Sequence, residues 1–272
     1  MNPKQIAVHE KALIKLFDTH SNLTFFDIGA CEGLSSVRYQ TIFPKSSIYA
    51  FEPVPKNFEL VKSNQEKYNL KNFHPFELGL SNKKGEATFY VSSGKPENKD
   101  TPDDNSVDFG NKSSSLYEPD KTKEVHPWLK FKETITIKTD TLDSFCTEKK
   151  VDEIDFIHMD VQGAELIVLE GGKKILANIK SIWLEVEKIS LYKNQALKSD
   201  IEKFMIKNDF ICIINKVNYV AGDQFWVRKD FFDSLNKTTK SDLLAIKRKT
   251  NFKSTLSTIF GGIKYKIKKL LK

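Results

Sequence analysis

The sequence predicts an α/β protein with a doubly wound, mostly parallel β-sheet, and three observations support this prediction. Short apolar runs alternate with longer stretches of helical spacing, a pattern typical of parallel sheets covered by helices on both faces. The run at 23–28 ends in an acidic residue and turns through Gly29 and Gly33, which permit a tight turn into a helix. The run at 47–51 ends in a second acid, Glu52. Because ligands bind at the carboxyl ends of parallel strands, the sequence predicts a binding site at these strand ends.

Length and composition favour one domain with additions. The chain has 272 residues, of which 39% are hydrophobic and 29% charged, and can bury one sizeable core. No apolar run reaches membrane-spanning length, and residues 1–20 carry charges at helical intervals, unlike a signal peptide. We therefore expect a cytoplasmic location.

The first half of the chain is expected to supply one helix and then three strands. Apolar residues at helical spacing predict a helix over 4–17, within an N-terminal segment at 1–20. Pro44 ends the helix after the first strand, and Pro55 opens the helix after the second. The strands are predicted at 23–28, 47–51 and 72–78, and the helices between them at 34–43 and 56–68.

The segment 92–133 interrupts this alternation. It is rich in Gly, Pro, Ser and Asp and lacks periodicity, so we expect an acceptor-binding loop, with plain disorder as the open alternative. Alternating residues at 86–91 and 134–138 predict an extra strand on either side of it.

The second half restores the alternation and completes a main domain at 21–232. A strand at 154–160 ends in Asp160, and a strand at 181–187 carries Glu185 and Glu187 near its end. The remaining elements are a short helix from 141, a helix ending at 171–172, a helix at 200–207 and strands at 210–214 and 224–228. All the acidic strand ends therefore fall on one edge of the predicted sheet.

The chemistry of these strand ends favours a sulfur nucleoside over a dinucleotide. Cys31 and Leu34 occupy positions where a dinucleotide fingerprint requires glycine, so a pyrophosphate would lack its close approach to the backbone. Asp27, beside an amide-lined turn, suits the amino-acid end of S-adenosylmethionine, and Glu52 can accept hydrogen bonds from both ribose hydroxyls. The structural alternative is a common strand-ending turn, with Glu52 as a helix cap.

The chain resembles the FkbM-type S-adenosylmethionine-dependent methyltransferases. Six segments that appear in the family's order carry the resemblance: 26–30, 49–53, 78–81, 114–116, 141–143 and 154–172. The resemblance implies a Rossmann-like class I methyltransferase fold, with a seven-stranded sheet whose last strand is antiparallel. It also implies S-adenosylmethionine as the cofactor and methyl transfer to an oxygen, commonly a hydroxyl of a sugar, glycan or polyketide-like product. The positions carried over as cofactor-binding are Asp27, Gly29, Ala30, Gly33, Leu34, Glu52, Pro53, Gly79, Leu80, Ser115 and Asp160.

Two departures from the family pattern are visible. Cys31-Glu32 stands where the family more often has a small or polar pair, and this should leave binding intact because backbone amides hold the ligand. Gln162 occupies a place usually filled by glutamate, so any catalytic role of that carboxylate is lost in this chain.

Transfer to a hydroxyl requires a base, because a protonated sugar hydroxyl is a poor nucleophile. Asp160 is the first candidate, since it ends the central strand beside the donor; Glu185 and Glu187 come next. His126, in the inserted segment, is a further candidate. The structural alternatives are a helix cap for Asp160 and a rim salt bridge for Glu185.

No metal requirement is predicted, although oxygen ligands at these acids would suit magnesium. The cysteines Cys31, Cys146 and Cys212 are far apart, with no metal-ligand spacing, so we expect reduced thiols rather than a disulfide framework or a zinc site.

The net charge of +7 belongs to a C-terminal segment, 233–272. From 237 onwards the local charge is +10, which leaves −3 for the residues before it. Ile263, Ile267, Leu270 and Leu271 fall on one side of a helix and lysines on the other, so we expect either binding to an anionic membrane surface at the inner face or a solvated or partner-packed terminal helix. Nucleic acid is not predicted as a partner, because no aromatic stacking platform accompanies the charge. The oligomeric state stays open.

The sequence as a whole predicts an O-methyltransferase acting on a sugar hydroxyl of a glycan or nucleotide-sugar precursor. A small-molecule or lipid-linked hydroxyl is the alternative acceptor. Two rivals from other classes are a nucleoside-binding module without catalysis and a nicotinamide-dependent oxidoreductase, the latter disfavoured by Cys31.

Overall fold

A computed structural model describes residues 6–96 and 108–270, with side chains left out at 252, 253 and 256–270. The predicted helical positions 4 and 5, part of the predicted loop, and the apolar side chains expected on the terminal helix therefore lie outside the described residues.

Ten strands appear in the described chain, and seven of them form one sheet. They are β1 (Thr24–Ile28), β2 (Ser47–Phe51), β3 (Phe73–Phe76), β4 (Gly79–Leu80), β5 (Gly85–Ser93), β6 (Lys130–Asp140), β7 (Ile154–Met159), β8 (Ile179–Glu187), β9 (Phe210–Val217) and β10 (Ala221–Arg228). The order in the large sheet is β3-β2-β1-β7-β8-β10-β9. Strand β10 is antiparallel to both its neighbours and the other pairings are parallel, which confirms the predicted class I methyltransferase fold.

Nine helices surround the sheet in the described residues: α1 (Val8–Leu16), α2 (Leu34–Ile42), α3 (Pro55–Lys67), α4 (Thr122–Val125), α5 (Leu142–Lys149), α6 (Glu165–Glu170), α7 (Lys198–Lys207), α8 (Lys229–Ser234) and α9 (Lys237–Leu270). One apolar cluster joins the sheet to α5, α6 and α7, and a second joins its other face to α1, α2, α3 and α9. The doubly wound arrangement is thereby confirmed. None of the described helices has the length and apolar character needed to cross a membrane.

Strand alternation decides which face each residue of β1 occupies. Phe26 and Ile28 belong to the cluster beneath α5 and α6, whereas Phe25 belongs to the cluster beneath α1 and α2. Asp27 lies between Phe26 and Ile28 in the sequence and shares the face of Phe25, because successive side chains of a strand point to opposite faces. The face on which a strand residue lies therefore determines whether its side chain can reach a ligand.

The two extra strands predicted around the inserted segment pair with each other. Strands β5 and β6 are antiparallel, and β4 adds to β6 in a separate three-stranded sheet. Strand β3 is shorter than the predicted 72–78, and its continuation at Gly79–Leu80 leaves the large sheet to join this second one. Strand β5 enters the predicted segment as far as Ser93 and β6 begins within it at Lys130, and the described residues between them include helix α4.

The C-terminal segment is part of the domain over its first half. Leu243 of α9 is fully buried and packs into the cluster on the α1 face. Ser254 Oγ donates a hydrogen bond of 2.6 Å to the carbonyl of Val217 on β9. The boundary predicted at 233 therefore does not separate a tail from the fold.

Candidate active site

The turn after β1 is held by the end of β2 and by the residue after β7. The amides of Gly29 and Ala30 donate to the carbonyl of Phe51 at 3.0 and 2.9 Å, and the amide of Asp160 donates to the carbonyl of Ile28 at 2.9 Å. Gly29 has φ +83°, and a Cβ there would lie 1.9 Å from the carbonyl oxygen of Asp160. Glycine is required at this position because the turn leaves no room for a side chain.

A cleft opens at this turn, and we call it the strand-edge cleft. Its empty volume, which includes space open to solvent, is about 530 Å³. Among the predicted cofactor-binding positions, those that line it are Gly29, Glu52, Pro53, Gly79, Leu80 and Asp160. The strand ends therefore bring together six of the eleven predicted positions.

Glu52 is the buried acid of the strand-edge cleft. Its two carboxylate oxygens accept hydrogen bonds from the amides of Cys31 at 2.8 Å and Val54 at 2.9 Å. Burial raises the pKa of Glu52 to about 7, against the lowering effect of these bonds. The carboxyl is thus rigidly placed and titrates near neutral pH.

The inserted segment crosses the strand-edge cleft at a short 3₁₀ helix, Phe109–Ser113. The carbonyl of Asn111 accepts a hydrogen bond of 3.2 Å from Asn57 Nδ2, and Asn111 Nδ2 donates to Glu32 Oε1 at 3.3 Å. The Oδ1 atom of Asn111 is buried and has no hydrogen-bond partner within the described part of the chain. A buried acceptor of this kind is suited to a donor group on a ligand.

Asp27 does not line the strand-edge cleft, which corrects the expected contact with the amino-acid end of the ligand. Its Oδ2 accepts a hydrogen bond of 2.5 Å from Ser36 Oγ on α2, and its Oδ1 lies 3.4 Å from Nδ1 of His158. Burial raises the pKa of Asp27, and the neighbouring His158 lowers it. The carboxyl therefore joins β1 to α2 and β7 on the opposite face of the sheet.

Four further predicted positions lie beside the cleft without lining it. Ala30 is part of the core under α2, and Gly33 packs against Val61 with φ +72°. Leu34 begins α2 and is exposed. Ser115 is fully buried, and its Oγ donates to the carbonyl of Gln162 at 2.8 Å. Its chain neighbours, Ser114 and Leu116, are the ones that line the cleft.

A second space, which we call the loop cavity, adjoins the first and has an empty volume of about 660 Å³. Predicted catalytic residues that line it are Asp160, Glu185 and His126. Glu187 is buried behind the cavity and does not line it. Asp160 and Lys112 line both the loop cavity and the strand-edge cleft, so the two spaces meet at these residues.

Gln162 joins the two acids that face the loop cavity. Its Nε2 donates to Asp160 Oδ1 and to Glu185 Oε2, both at 2.7 Å. Its Oε1 lies 3.3 Å from the hydroxyl of Tyr192, which also donates to the carbonyl of Ser113 at 2.8 Å. The backbone of Gln162 has φ +54°, so the turn after β7 directs its amide at both carboxylates. The amide thereby fixes the position of Asp160.

The acids near Asp160 all have raised pKa values. Burial, followed by repulsion from Asp160, raises the pKa of Glu185 and brings that of Glu187 to about 7. Burial and repulsion from Glu187 raise the pKa of Glu165. No group of three or more histidine, cysteine or acidic side chains able to hold a metal ion occurs in the described ranges.

Two polar groups of the inserted segment face the loop cavity. Thr122 is almost fully buried, and its Oγ1 has no hydrogen-bond partner among the residues that the structure describes. Burial lowers the pKa of His126. The cavity therefore offers an unpaired hydroxyl and a neutral imidazole to a polar ligand.

The sequence alone missed several residues of these sites. Asn111 and Lys112 precede the recognised segment 114–116 by only a few positions, so proximity could have indicated them. Gln162 was visible only as a departure from the family pattern. Tyr192 follows β8 and lies beyond every recognised motif, so no sequence signal identified it.

The family described as "Methyltransferase FkbM domain" matches residues 27–212 of the chain. This match includes every residue that lines the strand-edge cleft, the inserted segment, and the residues that line the loop cavity apart from Val220 and Ala221.

Two curated relatives are similar to part of the chain. The 2-O-methyltransferase NoeI of Sinorhizobium fredii is 31% identical over 169 residues, which are 62% of this chain and 65% of that protein. Methyltransferase 1 of Beauveria bassiana is 27% identical over 155 residues, which are 53% of this chain and 56% of that protein. The chain thus spans less than two thirds of the length of either relative.

Among solved structures, an rRNA methylase from Streptococcus thermophilus aligns with a TM-score of 0.43 at 10% identity, covering 83% of this chain and 97% of that one. A fibrillarin from Aeropyrum pernix, solved with natively bound S-adenosyl-L-methionine, aligns with a TM-score of 0.42 at 11% identity, covering 79% and 72%.

Proposed function

The chain belongs to the FkbM methyltransferase domain family, and from that premise we propose that it methylates a hydroxyl oxygen of a sugar in a glycan or nucleotide-sugar precursor. The methyl donor is S-adenosylmethionine. The observation that carries the proposal is the shared position of Asp160, which lines both the strand-edge cleft and the loop cavity. A carboxylate at that boundary can act on an acceptor in one space while the donor occupies the other.

The residues of the strand-edge cleft fit S-adenosylmethionine. Phe51, Leu80 and Phe89 supply an apolar wall that suits a purine ring. Glu52 offers carboxylate oxygens to ribose hydroxyls, and the unpaired Oδ1 of Asn111 offers an acceptor to an amino group. These three features match the apolar, hydroxyl and amino parts of the nucleoside.

When bound, S-adenosylmethionine supplies a methyl group on a positively charged sulfur, which leaves as a neutral thioether. The chain must then hold the acceptor oxygen in line and take its proton, and orientation alone can lower such a barrier by up to about 7–11 kcal/mol. The carboxylate of Asp160 accepts the proton of the hydroxyl as the new oxygen–carbon bond forms. Gln162 holds that carboxylate by its 2.7 Å hydrogen bond.

The loop cavity supports a sugar as the acceptor. A sugar ring presents several hydroxyls, and the cavity presents Thr122 Oγ1, His126, Tyr192 and Gln162 as scattered polar partners. The carboxylate of Asp160 lines this cavity, so an acceptor group without a phosphate suits it better than a phosphorylated one. The name of the relative NoeI, a 2-O-methyltransferase, supports transfer to oxygen.

We place this reaction in the cytoplasm. The three cysteines Cys31, Cys146 and Cys212 are all free, which is the state that a reducing compartment maintains. Fractionation of cells that express the tagged chain tests this location directly.

The function is tested by incubating the protein with methyl-labelled S-adenosylmethionine and a panel of nucleotide-sugars and oligosaccharides, then weighing the products. We expect one acceptor to gain a single methyl group. If S-adenosylhomocysteine binds but no acceptor is methylated, the chain is a non-catalytic binding module. Tighter binding of a nicotinamide dinucleotide than of S-adenosylhomocysteine would instead support an oxidoreductase.

The role of Asp160 is tested in the same assay with Asp160→Asn. We expect methyl transfer to fall roughly 10²–10⁴-fold, the usual contribution of a positioned base, while S-adenosylhomocysteine affinity stays within a few fold. Near wild-type transfer with intact donor affinity would exclude Asp160 as the base.

A further inference from the structure

A groove beside the edge strand β9 gathers three lysines from three separate elements, and we call it the basic groove. Lys11 comes from α1, Lys216 from the end of β9, and Lys249 from α9. Its floor is apolar and is formed by Val8, Val217 and Ile246. The empty volume is about 1090 Å³, larger than either space of the active site.

The three lysines are available to a ligand. All three are exposed, and none of them forms an ion pair with a carboxylate among the residues that the structure describes. Asp223 faces Lys216 across the β9–β10 pairing but is only partly exposed. Three unpaired ammonium groups around one space create a positive potential that favours an anion.

The apolar floor distinguishes this groove from a site for a small inorganic anion. A free phosphate would use the lysines and leave the half-buried side chains of Val8 and Ile246 in contact with water. A phospholipid combines an anionic headgroup with apolar chains and would cover both parts. The chemistry of the groove therefore matches an amphiphile with a phosphate group.

Helix α9 extends the same chemistry beyond the groove. It continues for 20 residues after Thr250, and the sequence from 251 to 272 contains six lysines and no acidic residue. A surface covered with anionic headgroups would complement the groove and this segment together, which a single soluble anion would not. We propose that the basic groove binds the headgroup of an anionic phospholipid and so docks the protein on a membrane surface.

The turn between β9 and β10 connects the groove to the active site. Asn218 lines the basic groove, whereas Val220 and Ala221 line the loop cavity. Docking through the groove would therefore hold the loop cavity close to the membrane. An acceptor sugar carried on a lipid would reach Asp160 from that position. This consequence rests on the proposed function, whereas the docking itself does not.

The test compares sedimentation of the full chain with vesicles of phosphatidylcholine alone and with vesicles of equal parts phosphatidylcholine and phosphatidylglycerol. The groove variant is Lys11→Gln/Lys216→Gln/Lys249→Gln. The control variant, Lys67→Gln/Lys83→Gln/Lys207→Gln, removes the same charge from exposed lysines of α3, the turn before β5, and α7. Melting temperature and S-adenosylhomocysteine affinity establish that both variants are folded.

We expect the wild-type chain to bind only the anionic vesicles. The groove variant should bind them on the order of a hundredfold more weakly, because each lysine near an anionic surface contributes about 1 kcal/mol, and the control variant should lose less than about tenfold. Equal losses in the two variants, or no vesicle binding by the wild type, would overturn the proposal. Release from vesicles by millimolar inorganic phosphate at constant ionic strength would show a soluble-anion site instead. None of these measurements requires an acceptor, so failure here leaves the methyltransferase proposal intact.

Discussion

Gly29 offers the sharpest test of how the turn after β1 is built. Gly29→Ala would place a Cβ 1.9 Å from the carbonyl oxygen of Asp160, in a residue with φ +83°. Gly33→Ala is the matched control, because Gly33 has a similar φ of +72° but its Cβ would meet only Val61 at an ordinary 3.4 Å. The two variants share the conformational penalty, and only one has the clash.

The magnitudes follow from these contacts. A left-handed backbone costs an alanine about 1–2 kcal/mol, so Gly33→Ala should lower the free energy of unfolding by that amount. In Gly29→Ala the Asp160 carbonyl must also move by more than about 1 Å to reach an acceptable contact. That shift breaks the hydrogen bond from the Asp160 amide to Ile28, which is worth about 1 kcal/mol. We expect a total loss of about 3 kcal/mol or more.

Thermal unfolding and calorimetric titration with S-adenosylhomocysteine measure both effects. At about 2 °C per kcal/mol for a chain of this size, the melting temperature should fall by about 6 °C or more in Gly29→Ala and by about 3 °C in Gly33→Ala. Donor affinity should fall at least about tenfold in the former, because the displaced backbone lines the strand-edge cleft, and stay within about threefold in the latter. If the two variants have the same melting temperature and the same affinity for S-adenosylhomocysteine, the close packing of the turn after β1 against Asp160 is wrong.

Three other outcomes are expected. The affinity for S-adenosylhomocysteine should rise about fivefold between pH 6 and 7, reach about tenfold by pH 8 and level off above, because burial raises the pKa of Glu52 to about 7 and ribose hydroxyls bind its deprotonated form; titrations over this range check it, and the slope should vanish in Glu52→Gln. Gln162→Glu places a carboxylate 2.7 Å from both Asp160 and Glu185, so the pH–rate profile of methyl transfer should shift to higher pH by on the order of one unit. An unchanged profile would contradict the contact of residue 162 with both acids. Tyr192→Phe removes the hydroxyl that contacts the carbonyl of Ser113 and Oε1 of Gln162, so kcat should fall about fivefold with donor affinity unchanged, and loss of donor affinity would show a different role.

The strand ends show which parts of the site can be predicted from local sequence. The alternation of apolar runs and helical stretches predicted which residues end a strand, and parallel strands bring those ends to one edge. Gly29, Glu52 and Asp160 lie at the strand-edge cleft for this reason. The face occupied by a strand residue depends on period-two parity, and Asp27 has the parity of Phe25, so its carboxyl turns away from the cleft.

The inserted segment contributes site residues that could not be predicted from local sequence. Its composition predicted a loop, but the cleft and the cavity take Asn111, Lys112 and Thr122 from it through contacts with distant elements. Such contacts depend on how β5 and β6 pair and where their connection crosses the sheet. Nothing within the segment itself encodes that path.

By itself, the sequence determined the fold class, the family and the edge of the sheet that carries the chemistry, because periodicity and strand-end residues are local properties of the chain. Only the tertiary structure decided that Gln162 binds Asp160 and Glu185 together, and that Lys11, Lys216 and Lys249 share one groove. These groups are brought together by the packing of helices and strands that are far apart in the chain. Their distances follow from the shape of the whole core, which no single segment specifies.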